Sequence, residues 1–198
     1  MKTIILRIAL IALACSAYGT ASSAVPRPDT IRRPSLEMSA YRRVFTTDEP
    51  VSIRLSSYNE KAVGLTVYHL NLTPLIPTSK ALEDFGKRLK GVNAARLSRA
   101  QSFPLQLGRV YPDQWSEHEV RVPHLAPGVY VIVARGAGAE TRTWFAVTDI
   151  ALLAKRSRQE LLVYAADARS GRPVPNLALT TTNASGMHLQ GVTGSDGL

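Results

Sequence analysis

A mainly β fold of the sandwich class is what this chain of 198 residues predicts. Two patterns carry the prediction. Short segments alternate apolar and polar side chains, the period of a half-buried strand. Clusters of Gly, Pro, Asn, Asp and Ser separate them at regular intervals. With 45% hydrophobic residues the chain has enough apolar material for one domain or one and a half.

Residues 1–24 read as an export signal. Lys2 and Arg7 make the charged start and residues 8–14 the apolar core. Ser22, Ser23 and Ala24 offer small side chains to a signal peptidase, with Val25 as the new N-terminus. The core is too short to cross about 30 Å of hydrocarbon. A rival reading is lipid attachment at Cys15, which follows Ala12, Leu13 and Ala14. Plain secretion is preferred, because Ala12 stands where a larger aliphatic residue is usual. Both readings place the protein in the periplasm or outside the cell. Cys15 is the only cysteine, so a mature chain forms no internal disulfide. That suits a bacterial periplasmic domain better than a secreted eukaryotic one.

Residues 25–40 are expected to be an extended linker. Three prolines and three arginines fall within residues 25–34, and proline disfavours helix in the residue before it. The formal net charge is +9. The excess is spread along the chain, with no block of five like charges. Aromatic residues are few and not interleaved with Arg and Lys, which argues against nucleic acid as a partner.

Residues 41–148 are expected to form one complete β-sandwich domain. Val51, Ile53 and Leu55 share one face of a strand, Ser57 to Glu60 supply a turn, and residues 62–70 form a second strand rich in β-formers. Residues 78–101 break the pattern. Leu82, Phe85, Leu89 and Val92 recur at three- and four-residue spacing, with Glu83–Lys87 and Asp84–Arg88 as i,i+4 pairs. Thr78 or Ser79 can cap the start. This predicts an inserted amphipathic helix of about four turns, either a docking element or, as preferred, a cover over the open end of the sandwich. After Phe103 and Pro104 the strands return. Residues 117–122 alternate, and residues 129–134 are apolar on both faces, as a central strand requires. Gly136, Ala137 and Gly138 make a tight connection to a partner strand over 141–147.

A second unit is expected over residues 149–198. Strands are predicted at 150–154, 161–166, 177–182 and 187–192, with a basic turn at 155–158 and turns at 169–173 and 183–186. Gly194, Ser195, Asp196 and Gly197 form a turn with no strand after it. A sandwich unit usually takes about seven strands in about 100 residues, so this unit is expected to be incomplete. A half-sandwich leaves a sheet face wet and its edges unpaired. Residues 41–148 are therefore expected to fold cooperatively alone, and 149–198 to be loosely ordered.

No catalytic, cofactor-binding or metal-ligating residue is predicted. His69, His118, His124 and His188 lack metal-ligand spacing and are expected at the surface or on edges. Glu117 and Glu119 lie on one solvated strand face, a poor place for a general acid pair. There is no nucleophile elbow and no Gly-rich phosphate loop. Asn71-Leu72-Thr73 and Asn183-Ala184-Ser185 are weak glycosylation patterns.

Ordered blocks in the second half carry a resemblance. They are Pro127-Gly128-Val129-Tyr130, Phe145-Ala146-Val147-Thr148-Asp149, Ala154-Lys155-Arg156-Ser157 and Leu162-Val163-Tyr164-Ala165-Ala166-Asp167. Ser170-Gly171-Arg172-Pro173-Val174-Pro175 and the closing Gly191-Val192-Thr193-Gly194-Ser195-Asp196-Gly197-Leu198 follow. Together they resemble the N-terminal macroglobulin-like domains of bacterial alpha-2-macroglobulin family proteins. The match is specific over residues 127–198, loose over 41–70 and absent over 78–110. Gly194 and Ser195 depart from the family's usual acidic wording.

The resemblance implies immunoglobulin-like macroglobulin sandwiches in a secreted or membrane-anchored protease trap. In such proteins a target protease cuts a bait segment and the stacked domains collapse around it. Many members then attach it through a Cys–Gln thioester. This chain carries no thioester motif. The implied role is therefore non-catalytic scaffold, with target proteases and the remaining macroglobulin domains as partners. The alternative is a secreted β-sandwich adhesion or envelope-binding module, since fold alone does not fix function. A regulatory β-domain attached to a peptidase is a third reading that no catalytic cluster supports.

Overall fold

The computed structural model describes residues 33–72, 74–75, 85–108, 113–158, 160–182 and 188–198. The predicted export signal with Cys15, residues 25–32 of the linker, residues 78–84 of the predicted helix and the turn at 183–186 lie outside them.

The described chain is mostly strand. The first unit holds β1 (Ser35–Ser39), β2 (Val44–Phe45), β3 (Val51–Tyr58) and β4 (Ala62–His69). A short helix α1 (Phe85–Lys90) and a 3-10 turn (Ala94–Arg96) follow. Then come β5 (Arg99–Gln106), β6 (Trp115–Val122), β7 (Gly128–Arg135) and β8 (Glu140–Val147). Three strands in the order β1-β3-β6 face five in the order β2-β8-β7-β4-β5. Val51, Ile53 and Leu55 point inward with Val120 and Val122, as their alternation predicts, and meet Val63, Leu65, Tyr130, Ile132 and Phe145 from the opposing sheet. Phe145 stacks on Tyr130 at 5.5 Å and takes Phe45 edge-on at 6.2 Å. Burying side chains of this size contributes about 1.5–3 kcal/mol each.

Two expectations need correction here. Residues 35–39 do not belong to a linker: β1 pairs antiparallel with β3, from Ser35 opposite Tyr58 to Ser39 opposite Arg54. Leu36 joins the core. The Pro-rich composition stops at Pro34, and Ser-Leu-Glu-Met-Ser alternates as an edge strand should. The helix also ends well before residue 101. It ends at Lys90 before Gly91, Asn93 caps the 3-10 turn by accepting from the Ala95 amide, and β5 already begins at Arg99. Glycine and asparagine end the helical period that Leu89 and Val92 would otherwise extend. β5 carries Pro104 inside the strand, which is tolerated because β5 is an edge.

The helix covers a sheet face rather than an end of the sandwich. Phe85 and Leu89 pack with Tyr68, Val131 and Val133 on the outer side of the five-stranded sheet, and Phe85 meets Trp144 edge-on at 5.1 Å. Arg142 donates to the carbonyls of Leu89 (3.4 Å) and Val92 (2.7 Å), satisfying acceptors at the helix end. The central strand β7 therefore has apolar neighbours on both faces.

At the β7–β8 hairpin the buried Glu60 accepts from the amides of Ala137 (3.1 Å) and Gly138 (3.0 Å). Gly136 makes room for it, since a Cβ there would lie 2.4 Å from the Glu60 carboxyl carbon.

The second unit starts at β9 (Ile150–Arg156), paired antiparallel with β10 (Leu161–Asp167); a separate ladder joins β11 (Ala178–Thr182) to β12 (His188–Val192). Its turns hold it together. Thr193, itself buried, donates to the Val174 carbonyl (2.6 Å) and accepts from the Leu177 amide (3.0 Å). The Gly194–Leu198 segment folds back so that the Gly197 carbonyl accepts from the Ala165 amide at 2.8 Å. Gly197 has φ +84°, and a Cβ there would lie 2.6 Å from the Ala165 carbonyl oxygen.

Candidate functional site

The side chains that could do chemistry are scattered. His69 stacks on Tyr130 at 4.5 Å and is exposed. His124 donates from Nδ1 to the Thr47 carbonyl at 3.2 Å. His188 pairs with the Thr182 hydroxyl at 2.9 Å. His118 lies half-buried on the edge strand β6. It lies on the inward side of β6 with Val120, shares a 3.1 Å hydrogen bond with the buried Ser57 hydroxyl, and burial pushes its pKa down. Alternation along β6 carried the signal, because His118 has the parity of Val120 and Val122. Glu117 and Glu119 lie on the exposed side. Glu117 pairs with Arg54 at 3.6 Å, and Glu119 accepts from Ser52 (2.7 Å) and Arg121 (3.0 Å). They rim an open groove of about 340 Å³ in which Arg54 lies over the Tyr41 ring at 4.4 Å. Among the described residues, no group of three His, Cys, Asp or Glu is placed to hold a metal ion.

The densest polar cluster sits where the two units meet. The linking residues are Thr148 and Asp149, between β8 and β9. The Asp149 carboxylate accepts from the Thr47 amide (2.9 Å) and hydroxyl (2.6 Å), both in the β2–β3 loop of the first unit. From the second unit Arg169 reaches across, with Nη2 at 2.9 Å from Asp149, 3.0 Å from the Thr47 hydroxyl and 3.1 Å from Asp48. Arg169 is held by its own loop, in which Asp167 accepts from the amides of Arg169 (3.1 Å) and Ser170 (2.8 Å) and from the Ser170 hydroxyl (2.8 Å). The Thr47 hydroxyl and amide, then Arg169, hold the Asp149 carboxyl below its ordinary pKa. The hydroxyl of Thr46 lowers that of Asp48 and the Ser170 amide that of Asp167. Asp149 and Asp167 each fall in a block legible in the amino-acid order, but neither block says that Arg169 joins them. The signal available was Asp-Ala-Arg-Ser-Gly, an Asx turn that aims the arginine away from its own strand.

A third feature is apolar. Between β10 and the β11–β12 ladder lies an open cleft of about 270 Å³ lined by Leu161, Val163, Leu179, Leu189, Val192 and Leu198. Leu162 and Leu153 are also exposed, at 52% and 70%.

Comparison with known proteins places the fold. No family model matches the sequence, and no curated protein matches it. Among solved structures, the chain is similar to native alpha-2-macroglobulin from Escherichia coli spanning domains NIE-MG1. The TM-score is 0.59 and the identity 17%, over 83% of this chain and 85% of that one. A longer structure of the same protein, spanning MG0-NIE-MG1, gives a TM-score of 0.61 and 15% identity over 84% of this chain. The chain covers 56% of the length of that structure. At such identities the likeness is one of fold, and the fold is that of macroglobulin-like β-sandwich domains of a bacterial alpha-2-macroglobulin.

Proposed function

We propose that this chain is a non-catalytic scaffold portion of an exported protease-trap protein of the alpha-2-macroglobulin type. One observation carries the reading: both units together, across 83% of the chain, share the arrangement of a two-domain stretch of such a protein. The ordered motif blocks over residues 127–198 support it independently, since they lie in the amino-acid order itself. The wet cleft between β10 and the β11–β12 ladder fits a domain that stacks against further macroglobulin domains. The charged and apolar pattern of residues 1–24 supports export to the periplasm or beyond it. Scaffold here means that the chain positions other parts of the trap and cleaves nothing itself.

The test is a protease challenge. The 198-residue chain, added at equimolar ratio to trypsin, is expected to leave hydrolysis of casein unchanged. The full-length protein is expected to slow it. Inhibition by the 198-residue chain alone would overturn the scaffold role. A full-length protein without effect on trypsin or on a panel of other endopeptidases would overturn the trap.

A further inference from the structure

We propose that the Arg169 cluster is a release latch that sets the orientation of the second unit against the first. The inference stands on the geometry of the junction and does not depend on the protease-trap reading.

Among the described residues, apolar packing does not cement this junction. The two apolar clusters contain no residue beyond Val147. The buried apolar residues of the second unit, Ala165, Ala166 and Leu177, belong to neither. The covalent link is short, since β8 ends at Val147 and β9 begins at Ile150. A two-residue link limits how far the units separate but leaves rotation about its own bonds. What stops the rotation is polar. Thr47 gives two hydrogen bonds to Asp149, and Arg169 places one nitrogen among Thr47, Asp48 and Asp149. The Ala168 amide also donates to the Asp149 carbonyl at 2.7 Å.

The parts are arranged as a latch would be. Asp149 sits at the pivot and belongs to the link. Thr47 and Asp48 are the fixed side, anchored because the Thr148 amide donates to the Phe45 carbonyl at 2.8 Å next to the core. Arg169 is the moving side, presented by a loop that Asp167 stiffens. Arg169 and Asp48 are each about half exposed, so water reaches their ion pair and can replace it. Contacts of this kind are readily broken, unlike a hydrophobic interface. Loss of Arg169 leaves the Thr47–Asp149 bonds, and loss of the Asp149 charge weakens both sets together. Asp149→Asn is therefore expected to loosen the junction more than Asp48→Asn.

Residual dipolar couplings on the full chain test this, because one alignment tensor fits two units only if they tumble as one body. Wild type is expected to fit a single tensor. Arg169→Ala and Asp149→Asn are expected to need two, with the smaller alignment magnitude falling at least twofold in the second unit. Thr47→Val, which keeps every charge, is expected to give an intermediate loss. Amide shifts of β3, β4 and β7 are expected to stay in place in all three. A single shared tensor in all variants would overturn the latch, as would two independent tensors in wild type. Unfolding of the first unit by Arg169→Ala would also overturn it, since the cluster would then be part of the fold rather than a joint.

Discussion

The first unit is held by its interior and the second by its turns. In the first, every strand of both sheets places side chains against a shared core, and a helix closes the outer face of the larger sheet. In the second, the buried set among the described residues shrinks to Ala165, Ala166, Leu177, Thr193 and Gly197, while Leu153, Leu162, Leu189 and Val192 face water. Backbone and hydroxyl hydrogen bonds around Thr193, Asp167 and Gly197 do the holding there. Such bonds contribute about 0.5–1.5 kcal/mol each. A shared apolar core contributes far more and makes unfolding cooperative.

The largest effect expected from this contrast is in the core. Phe145→Ala removes a fully buried ring that touches both Phe45 and Tyr130, and a loss of about 3–5 kcal/mol is expected. Urea unfolding followed by tryptophan fluorescence measures it cleanly, because Trp115 and Trp144 both lie in the first unit. A loss under about 1 kcal/mol would mean that the ring is not packed as described.

Hydrogen exchange sharpens the contrast at the next level. Strong protection is expected in β3, β4 and β7, and weak protection through residues 160–190. Gly197→Ala forces a side chain into the left-handed region and against the Ala165 carbonyl, at about 1–2 kcal/mol. Exchange at the Ala165 and Val174 amides should quicken by roughly 5–30-fold, with the fluorescence midpoint unmoved. Protection of residues 160–190 in a wild-type monomer equal to that of β7 would erase the distinction between the units.

The smallest effect concerns pH at the junction. Asp149 titrates below its ordinary value because the hydroxyl and amide of Thr47 and then Arg169 favour its charged form. A depressed folded pKa means that the stabilisation is complete above the unfolded value of about 4 and is lost as pH falls through the lower folded value. Asp48 and Asp167 are shifted the same way, and His124, Glu49, Arg42 and Arg169 also face this loop. The Thr47 amide resonance is expected to titrate only below about pH 4. A midpoint at or above that of a free aspartate would remove Asp149 from the role given to it.

Much of the strand pattern was legible because alternation is a local signal. Val51, Ile53 and Leu55 could be assigned to one face without knowing what lay opposite. The run over 129–134 shows the limit. Its two apolar faces announced a central strand, and β7 is central, but one face meets the small sheet through Tyr130 and Ile132 while Val131 and Val133 meet α1. Nothing local says that the second cover is a helix. β1 was missed because five alternating residues after a Pro-rich stretch carry little information, and its pairing with β3 lies about twenty residues away. The predicted helical region ran too far because its apolar spacing reached Val92, beyond Gly91, where backbone preference overrode it. The junction was half legible, since Asp149 and Asp167 fall in recognisable blocks while Thr47 lies about a hundred positions away.

The amino-acid order alone determined the strand class and the turns at Gly136 and Gly197, because each follows from side-chain period or a backbone angle within a few residues. Only the tertiary structure decided that residues 35–39 complete a sheet, that the helix lies over a sheet face, and that Arg169 meets Thr47 and Asp48. Those are contacts between segments far apart in the chain, and their free energy depends on what the fold brings to the other side.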